Sequence, residues 1–171
     1  MGGTAGGPLS VIQARQGKGR HDLPSRYAAW YCSREAASAV AESIRFLRGR
    51  FLRDRHFAGI GGTVRALVVL SLDDSLDLVD LDDPLELAAR RLRPSQVATG
   101  RRTVTQQIAR SIFDEGAAGF LWWSTLEGGW TNVTLFHERA LPHVSIVARP
   151  RKLSIHLPEV KEAADRIGVR I

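Results

Sequence analysis

Apolar residues along this chain change their spacing several times, and each change marks an element. Ala36, Ala39, Val40, Ile44 and Leu47 recur at helical intervals and leave Arg45 and Arg48 wet, which predicts an amphipathic helix over Arg34–Leu47 with Ser33 as its cap. Just before it, the aromatic run Tyr27-Ala-Ala-Trp-Tyr-Cys32 suits a strand. Phe57–Thr63 carries three glycines and reads as a loop, and Val64–Leu72 is strongly β-prone. Leu76–Leu81 alternates apolar with acidic residues, as a strand with one wet face does.

Asp82-Asp83-Pro84 places acids and a first-turn proline at the head of a short helix over Leu85–Arg91, with Pro94 and Ser95 ending it. Thr103 and Gln106 have the spacing of a capping box before a helix that Gly116 stops. Strand-like runs follow at Gly119–Trp123, Asn132–Phe136, Val144–Ala148 and Leu153–His156, and a last helix is expected over Pro158–Ile167. Helices and strands mix without regular alternation, so the expected fold class is α+β, a compact mixed sheet with flanking helices, rather than a doubly wound sheet.

The 171 residues suffice for one compact core. Residues 1–16, Gly-rich and aperiodic, are expected to form a flexible N-terminal segment, with 17–171 as a single domain. No apolar run approaches the roughly 18 residues of a membrane span, and Met1–Pro8 lack the basic-then-apolar order of a secretory signal, so the expected location is the cytoplasm. Cys32 is the lone cysteine, so no intramolecular disulfide can form, and no histidine cluster supplies zinc spacing; no metal is expected. The net charge of +6 raises the question of nucleic acid, but the charges are segregated. Arginines concentrate at 45–55 and acids at 73–86, which reads first as a solvated basic helix face and an acidic turn region.

Three segments carry candidate chemistry. In Gly17-Lys-Gly-Arg20 an arginine sits on a glycine-flanked turn, where a bidentate guanidinium can approach a phosphate closely. Tyr31 lies near the start of the helix that bears Glu42; alone, the first is an ordinary core aromatic and the second a solvated acid paired with Arg45. Gly119-Phe-Leu-Trp-Trp-Ser124 leads into a Gly-rich connection that can present Ser124 as a hydrogen-bond donor at a cleft mouth. Ser124 is no triad nucleophile, since the G-x-S-x-G elbow is missing. Trp122, Trp123 and Trp130 read as packing residues.

In this order and spacing the segments resemble the RES domain, named for an arginine, a glutamate and a serine that here match Arg20, Glu42 and Ser124. The resemblance spans roughly residues 17–140, and also draws on Leu78-Val-Asp-Leu81, Thr105-Gln-Gln-Ile-Ala109 and Asn132–Phe136. It implies an ADP-ribosyltransferase-like fold and an enzyme that cleaves the nicotinamide–ribose bond of NAD, with NAD as substrate. Arg20 would grip the NAD phosphates, Tyr31 would position the nicotinamide end, and Glu42 and Ser124 would line the site of cleavage. It further implies a toxin held in check by a cognate helix-turn-helix antitoxin, with which it can form an oligomer. Two departures accompany the match. Only residues 1–16 precede the turn, where family members carry a further arginine-bearing strand, so the N-terminus is expected to be shortened; and His21 follows Arg20 where the more frequent form has Trp.

Two other readings stand beside this one. A catalytically inactive RES-like interaction module would bind an antitoxin through the arginine-rich helix. A DNA-binding protein would use Gln106, Gln107 and Ala109 as part of a helix-turn-helix, but the segment that follows is an apolar strand rather than a polar recognition helix, so direct nucleic-acid binding is not expected.

Overall fold

The computed structural model describes residues 7, 9–59 and 62–171. The expectations for the extreme N-terminus and part of the Phe57–Thr63 loop therefore lie outside the described residues. In chain order the elements are β1 (Ala29–Ser33), α1 (Ala36–Ile44), β2 (Ala66–Leu67), β3 (Leu70–Leu72), β4 (Leu78–Asp80), α2 (Pro84–Ala89) and α3 (Pro94–Val97). They continue with α4 (Arg102–Asp114), β5 (Gly119–Trp123), β6 (Thr131–Phe136), α5 (His137–Ala140), β7 (Val144–Ile146), β8 (Arg151–Lys152) and α6 (Pro158–Ile167). The mixed α+β class expected from the sequence is the one found. None of the described helices is long and apolar enough to cross a membrane.

The chain forms two compact units. The first combines the described residues up to Cys32 with Leu72–Trp123 and Asn132–Val144. Its sheet has the order β1-β6-β5-β4, with β4 parallel to β5 and Val79 registered on Phe120. Side chains of β5 alternate between two clusters: Phe120 and Trp122 pack with Leu87, Val97, Ile108, Ile112 and Phe136, while Leu121 packs with Val133, Leu135 and Ala140. Both faces of that strand are thus buried, which is why Gly119–Trp123 is a continuous apolar run rather than an alternating one. The end of α4 is closed by Arg139, whose guanidinium donates to the carbonyls of Phe113 and Ala117 and covers the Phe113 ring. Gly116 stops the helix at φ +101°, a conformation that a residue with a Cβ rarely adopts.

The second unit comprises Ser33–Ser71, Ser124–Thr131 and Ser145–Ile171. Val40, Ala41 and Ile44 of α1 pack on Val160, Ala163, Ala164 and Ile167 of α6, with Leu52, Phe57 and Trp130 completing the core. The small residues on both helices allow close approach, and a two-stranded β2–β8 antiparallel pair lies in the same unit.

Several predicted elements differ in detail. The first helix is shorter than Arg34–Leu47: it begins at Ala36, and Arg45–Leu47 tightens to a 3-10 turn that carries Leu47 into the core. Glu35 holds the N-cap position, and its carboxylate accepts the Thr131 amide rather than capping its own helix. Val64–Leu72 divides into β2 and β3 because the two halves take different partners, β8 and β7. Pro94 and Ser95 do not merely end a helix, since Pro94 opens α3 at a first-turn position. The strand expected at Leu153–His156 is displaced to Arg151–Lys152; Leu153 drops into the core, and the Ile155 amide is taken by the Asp54 carboxylate. Asp83 caps α2 by accepting from the Leu85 amide at 2.8 Å, as its position before Pro84 predicts. The final helix matches its expected bounds.

Ile44 is 2% exposed in the α1–α6 core, so Ile44→Ala should lower unfolding stability by roughly 2–5 kcal/mol. Leu85→Ala, at a side chain that is 78% exposed, should change it by less than about 0.5 kcal/mol. Urea unfolding of both variants against the parent checks the pair.

Candidate functional site

The glycine-flanked turn is built around one carboxylate. Asp22 Oδ2 accepts the backbone amides of Gly17 (2.8 Å) and Gly19 (2.7 Å), and Oδ1 accepts the Tyr31 hydroxyl (2.7 Å). The Tyr31 oxygen in turn accepts the His21 amide at 2.9 Å, so the residue after Arg20 is tied to the middle of β1. Gly19 is the residue that permits this: a Cβ there would collide with the Asp22 carboxylate and stand 2.6 Å from the Tyr31 oxygen. Gln16 anchors the approach to the turn by using its amide side chain as both donor and acceptor to the backbone of Ala29.

Helix α4 grips the other side of the turn. Thr105 Oγ donates to the Arg20 carbonyl and Gln106 Nε2 to the Gly19 carbonyl (3.2 Å). This corrects the capping-box reading: the N-cap lies two residues earlier than expected, at Arg101 rather than Thr103, with no side-chain cap bond, and Gln106 spends its amide on the turn. The Arg20 guanidinium donates to the carbonyls of Val97 (3.0 Å) and Thr99 (2.8 Å) and lies 5.1 Å from the centre of the Trp122 ring. Those contacts orient a fork donor, the property that phosphate recognition needs.

Beneath Arg20, His21 is 2% exposed, with Phe120 and Trp122 edge-on to its ring at 4.8 and 5.0 Å. Burial, and secondarily the charge of Arg20, pulls its pKa down to about 3, so the ring is neutral at ordinary pH. Its Nδ1 is 2.8 Å from Thr134 Oγ, which also accepts from Trp122 Nε1 at 3.0 Å. The threonine hydroxyl thus bridges the indole N–H of Trp122 and the Nδ1 of a neutral His21. Tyr31 has an exposed ring, but burial of its hydroxyl, reinforced by the bond to Asp22, raises its pKa and keeps it protonated. Tyr31 therefore offers an aromatic face and a fixed hydroxyl rather than a base.

Arg20 and Tyr31, predicted separately, are thus joined through His21 and Asp22 in the first unit. Glu42 and Ser124 belong to the second unit. Glu42 sits half-buried on α1 with an oxygen 3.6 Å from Arg45. Ser124 is buried; its amide donates to the Trp130 carbonyl and its Oγ accepts from Leu126. Among the described residues no group of three or more His, Cys, Asp or Glu side chains gathers as a metal site would. Two adjoining clefts of about 360 and 330 Å³ in the first unit share Arg90 and Glu115 and are lined by neither Arg20 nor Tyr31.

The RES domain family matches residues 3–157. The chain belongs to that family. Among solved structures, this RES chain is similar to one from the crystal structure of the M. tuberculosis MbcT-MbcA toxin-antitoxin complex, at 20% identity and a TM-score of 0.58. That likeness covers 82% of this chain and 74% of the other, and shows a shared fold. No curated protein matches the chain.

Sequence reasoning gave Asp22, Thr105 and Thr134 no role of their own, and took Gln106 for a capping residue. A signal was present in β6, where Asn132 and Thr134 interrupt a strand that is buried throughout its last five residues. A polar side chain in such a strand must find a partner, and Thr134 finds two. Asp22, five residues after Gly17, follows the common habit of aspartate in collecting nearby turn amides.

Two measurements test this arrangement. Gly19→Ala should cost about 1–3 kcal/mol by forcing the Asp22–Tyr31 pair apart, read as a lowered urea midpoint. His21 is neutral when folded and protonated in the unfolded chain below about pH 6.5, so the unfolded state binds more protons and stability falls with acidification from that pH toward about 3. The loss should approach ~1.4 kcal/mol per pH unit below pH 6. Between pH 6.5 and 5 the unfolding free energy of His21→Phe should show a correspondingly flatter dependence on pH than that of the parent.

Proposed function

We propose that this RES protein is a toxin-type enzyme that consumes NAD by breaking the nicotinamide–ribose bond, and that an antitoxin with a helix-turn-helix domain restrains it in the cytoplasm. The observation that carries the reading is the locked Gly19–Arg20 turn: a guanidinium oriented over Trp122, with an exposed Tyr31 ring tethered to the same turn through Asp22. Membership of the RES family supports it, and so does a fold shared with a chain of a toxin-antitoxin complex.

The roles follow from the chemistry of each side chain. Arg20 offers charge-assisted donors to the pyrophosphate, and the Tyr31 face offers a platform for a flat nicotinamide ring. Cleavage breaks the bond between ribose C1′ and the pyridinium nitrogen; the electron pair leaves with nicotinamide, which departs neutral, and the ribose takes on oxocarbenium character. A carboxylate such as Glu42 stabilises that developing charge, and a hydroxyl such as Ser124 supplies a hydrogen bond at the sugar. Water, phosphate or a protein side chain then captures C1′. An ADP-ribosyltransferase-like fold and a single domain over 17–171 belong to the same reading.

The DNA-binding alternative loses its main support in α4. Thr105, Ile108, Ala109 and Ile112 are buried, and Gln106 is bound to the Gly19 carbonyl, so that helix face is committed inside the first unit.

Incubated with NAD, the purified protein should release nicotinamide. Arg20→Ala and Glu42→Ala should each reduce the rate by about 10²-fold or more while the protein still unfolds cooperatively, Arg20→Ala at a somewhat lower midpoint because its two carbonyl partners are lost, and Arg110→Ala, at an exposed α4 position, should leave the rate intact. Absence of release from the parent protein, with phosphate present or withheld, would overturn the enzyme reading in favour of an inactive RES module.

A further inference from the structure

The segment from Arg45 to Arg55 in the second unit is sorted sharply. Leu47 and Leu52 enter the α1–α6 core, with Phe57 just beyond, and fix the backbone; Arg45, Arg48, Arg50, Arg53 and Arg55 stay outside, together with Phe46 (60% exposed) and Phe51 (54% exposed). Backbone bonds lay this segment along the residues after α6. The Gly49 amide donates to the Gly168 carbonyl (2.9 Å), Leu52 to Arg170 (2.7 Å), and Arg170 to Arg50 (2.9 Å). Arg170 thereby joins the group, with its guanidinium 5.7 Å from the centre of the Phe51 ring. Arg48 is anchored by donating from Nε to the Ile167 carbonyl.

The positive charge here is only partly compensated. Glu42 meets only Arg45, at 3.6 Å, and Asp54 accepts the Ile155 amide. Among the described residues no carboxylate stands within ion-pair distance of Arg48, Arg50, Arg53, Arg55 or Arg170. Like charges gathered on a rigid strip repel one another, and exposed phenylalanines gain nothing in water, so the strip has no evident value to the isolated chain. Both features are offset at once by a partner that brings carboxylates and apolar side chains.

We propose that this strip docks an acidic protein segment carrying one or two large apolar side chains. Its carboxylates would take the guanidinium forks of Arg50, Arg53, Arg55 and Arg170, and its apolar side chains would cover Phe46 and Phe51. A nucleic acid fits less well. A duplex backbone gives the two phenyl rings no role, and a single strand, whose bases stack on exposed rings, is separated from a peptide by the test below. The inference does not rest on NAD chemistry and holds or fails independently of it.

The test uses the full chain and a fluorescein-labelled peptide of about twelve residues, mostly glutamate with two leucines. Its affinity should fall as salt rises. It should weaken about tenfold or more in Arg50→Ser/Arg53→Ser/Arg55→Ser, and severalfold both in Phe46→Ser/Phe51→Ser and when the two leucines of the peptide are replaced by serine. Arg101→Ser/Arg102→Ser, which removes two exposed arginines from the first unit, should leave binding unchanged. Because all the substituted side chains are exposed, thermal midpoints should match the parent. Three results would overturn the proposal: no peptide binding, equal binding by the triple arginine variant, or tighter binding of a thymidine oligonucleotide of the same charge, which would mark the strip as a nucleic-acid surface.

Discussion

The placement of Arg20 and Tyr31 depends on how the Asp22 carboxylate is shared. One oxygen closes the turn by taking the Gly17 and Gly19 amides; the other holds the Tyr31 hydroxyl, which is itself bonded to the His21 amide. The turn and the strand therefore cannot be positioned independently, although nine residues separate Asp22 from Tyr31. Glycine at 19 follows from the same constraint, since the space a Cβ would need is filled by the two partners of that hydrogen bond. Charge-assisted bonds of this kind each contribute about 1.5–3 kcal/mol when buried, enough to hold a short irregular loop in one conformation.

A second layer keeps Arg20 in place. Thr105 and Gln106 bind consecutive carbonyls of the turn from α4, while Val97 and Thr99, at the end of α3 and just past it, receive the guanidinium. Helices α3 and α4 are fastened to the sheet by Val97, Ile108 and Ile112, which pack with Phe120 and Trp122. The orientation of one surface cation is thus inherited from a hydrophobic core, so packing changes in that cluster act on the turn without touching it.

Much of this was legible in the chain, and the parts that were not share a cause. Elements whose signal is local were readable: Asp83-Pro84 at the start of α2, Pro158 at the head of α6, and the apolar run of β5. The resemblance to the RES family was also readable, because it rests on the order of short motifs rather than on contacts. What failed depended on partners distant in sequence. Val64–Leu72 looks like one strand until β7 and β8 divide it, and Leu153 looks like a strand residue until the α1–α6 core claims it. Gln106 has the spacing of a capping residue, yet its amide reaches a carbonyl 87 positions away. Periodicity reports which face is apolar, not which polar group will be satisfied by which.

His21 shows how a histidine can be held as a buried neutral ring beside a cation. The chain places this histidine in a slot walled by Phe120 and Trp122 and stacked on Tyr31 at 6.0 Å, and burial keeps the ring uncharged. It therefore packs as an aromatic. Its ring nitrogen would be a costly orphan in that slot, but Thr134, already tied to Trp122, meets it. Histidine here requires threonine on β6, and threonine requires the tryptophan on β5 that carries Arg20. Histidine here accordingly does not loosen the turn. The slot holds a neutral, hydrogen-bonded ring whose protonation is opposed by both burial and the neighbouring guanidinium.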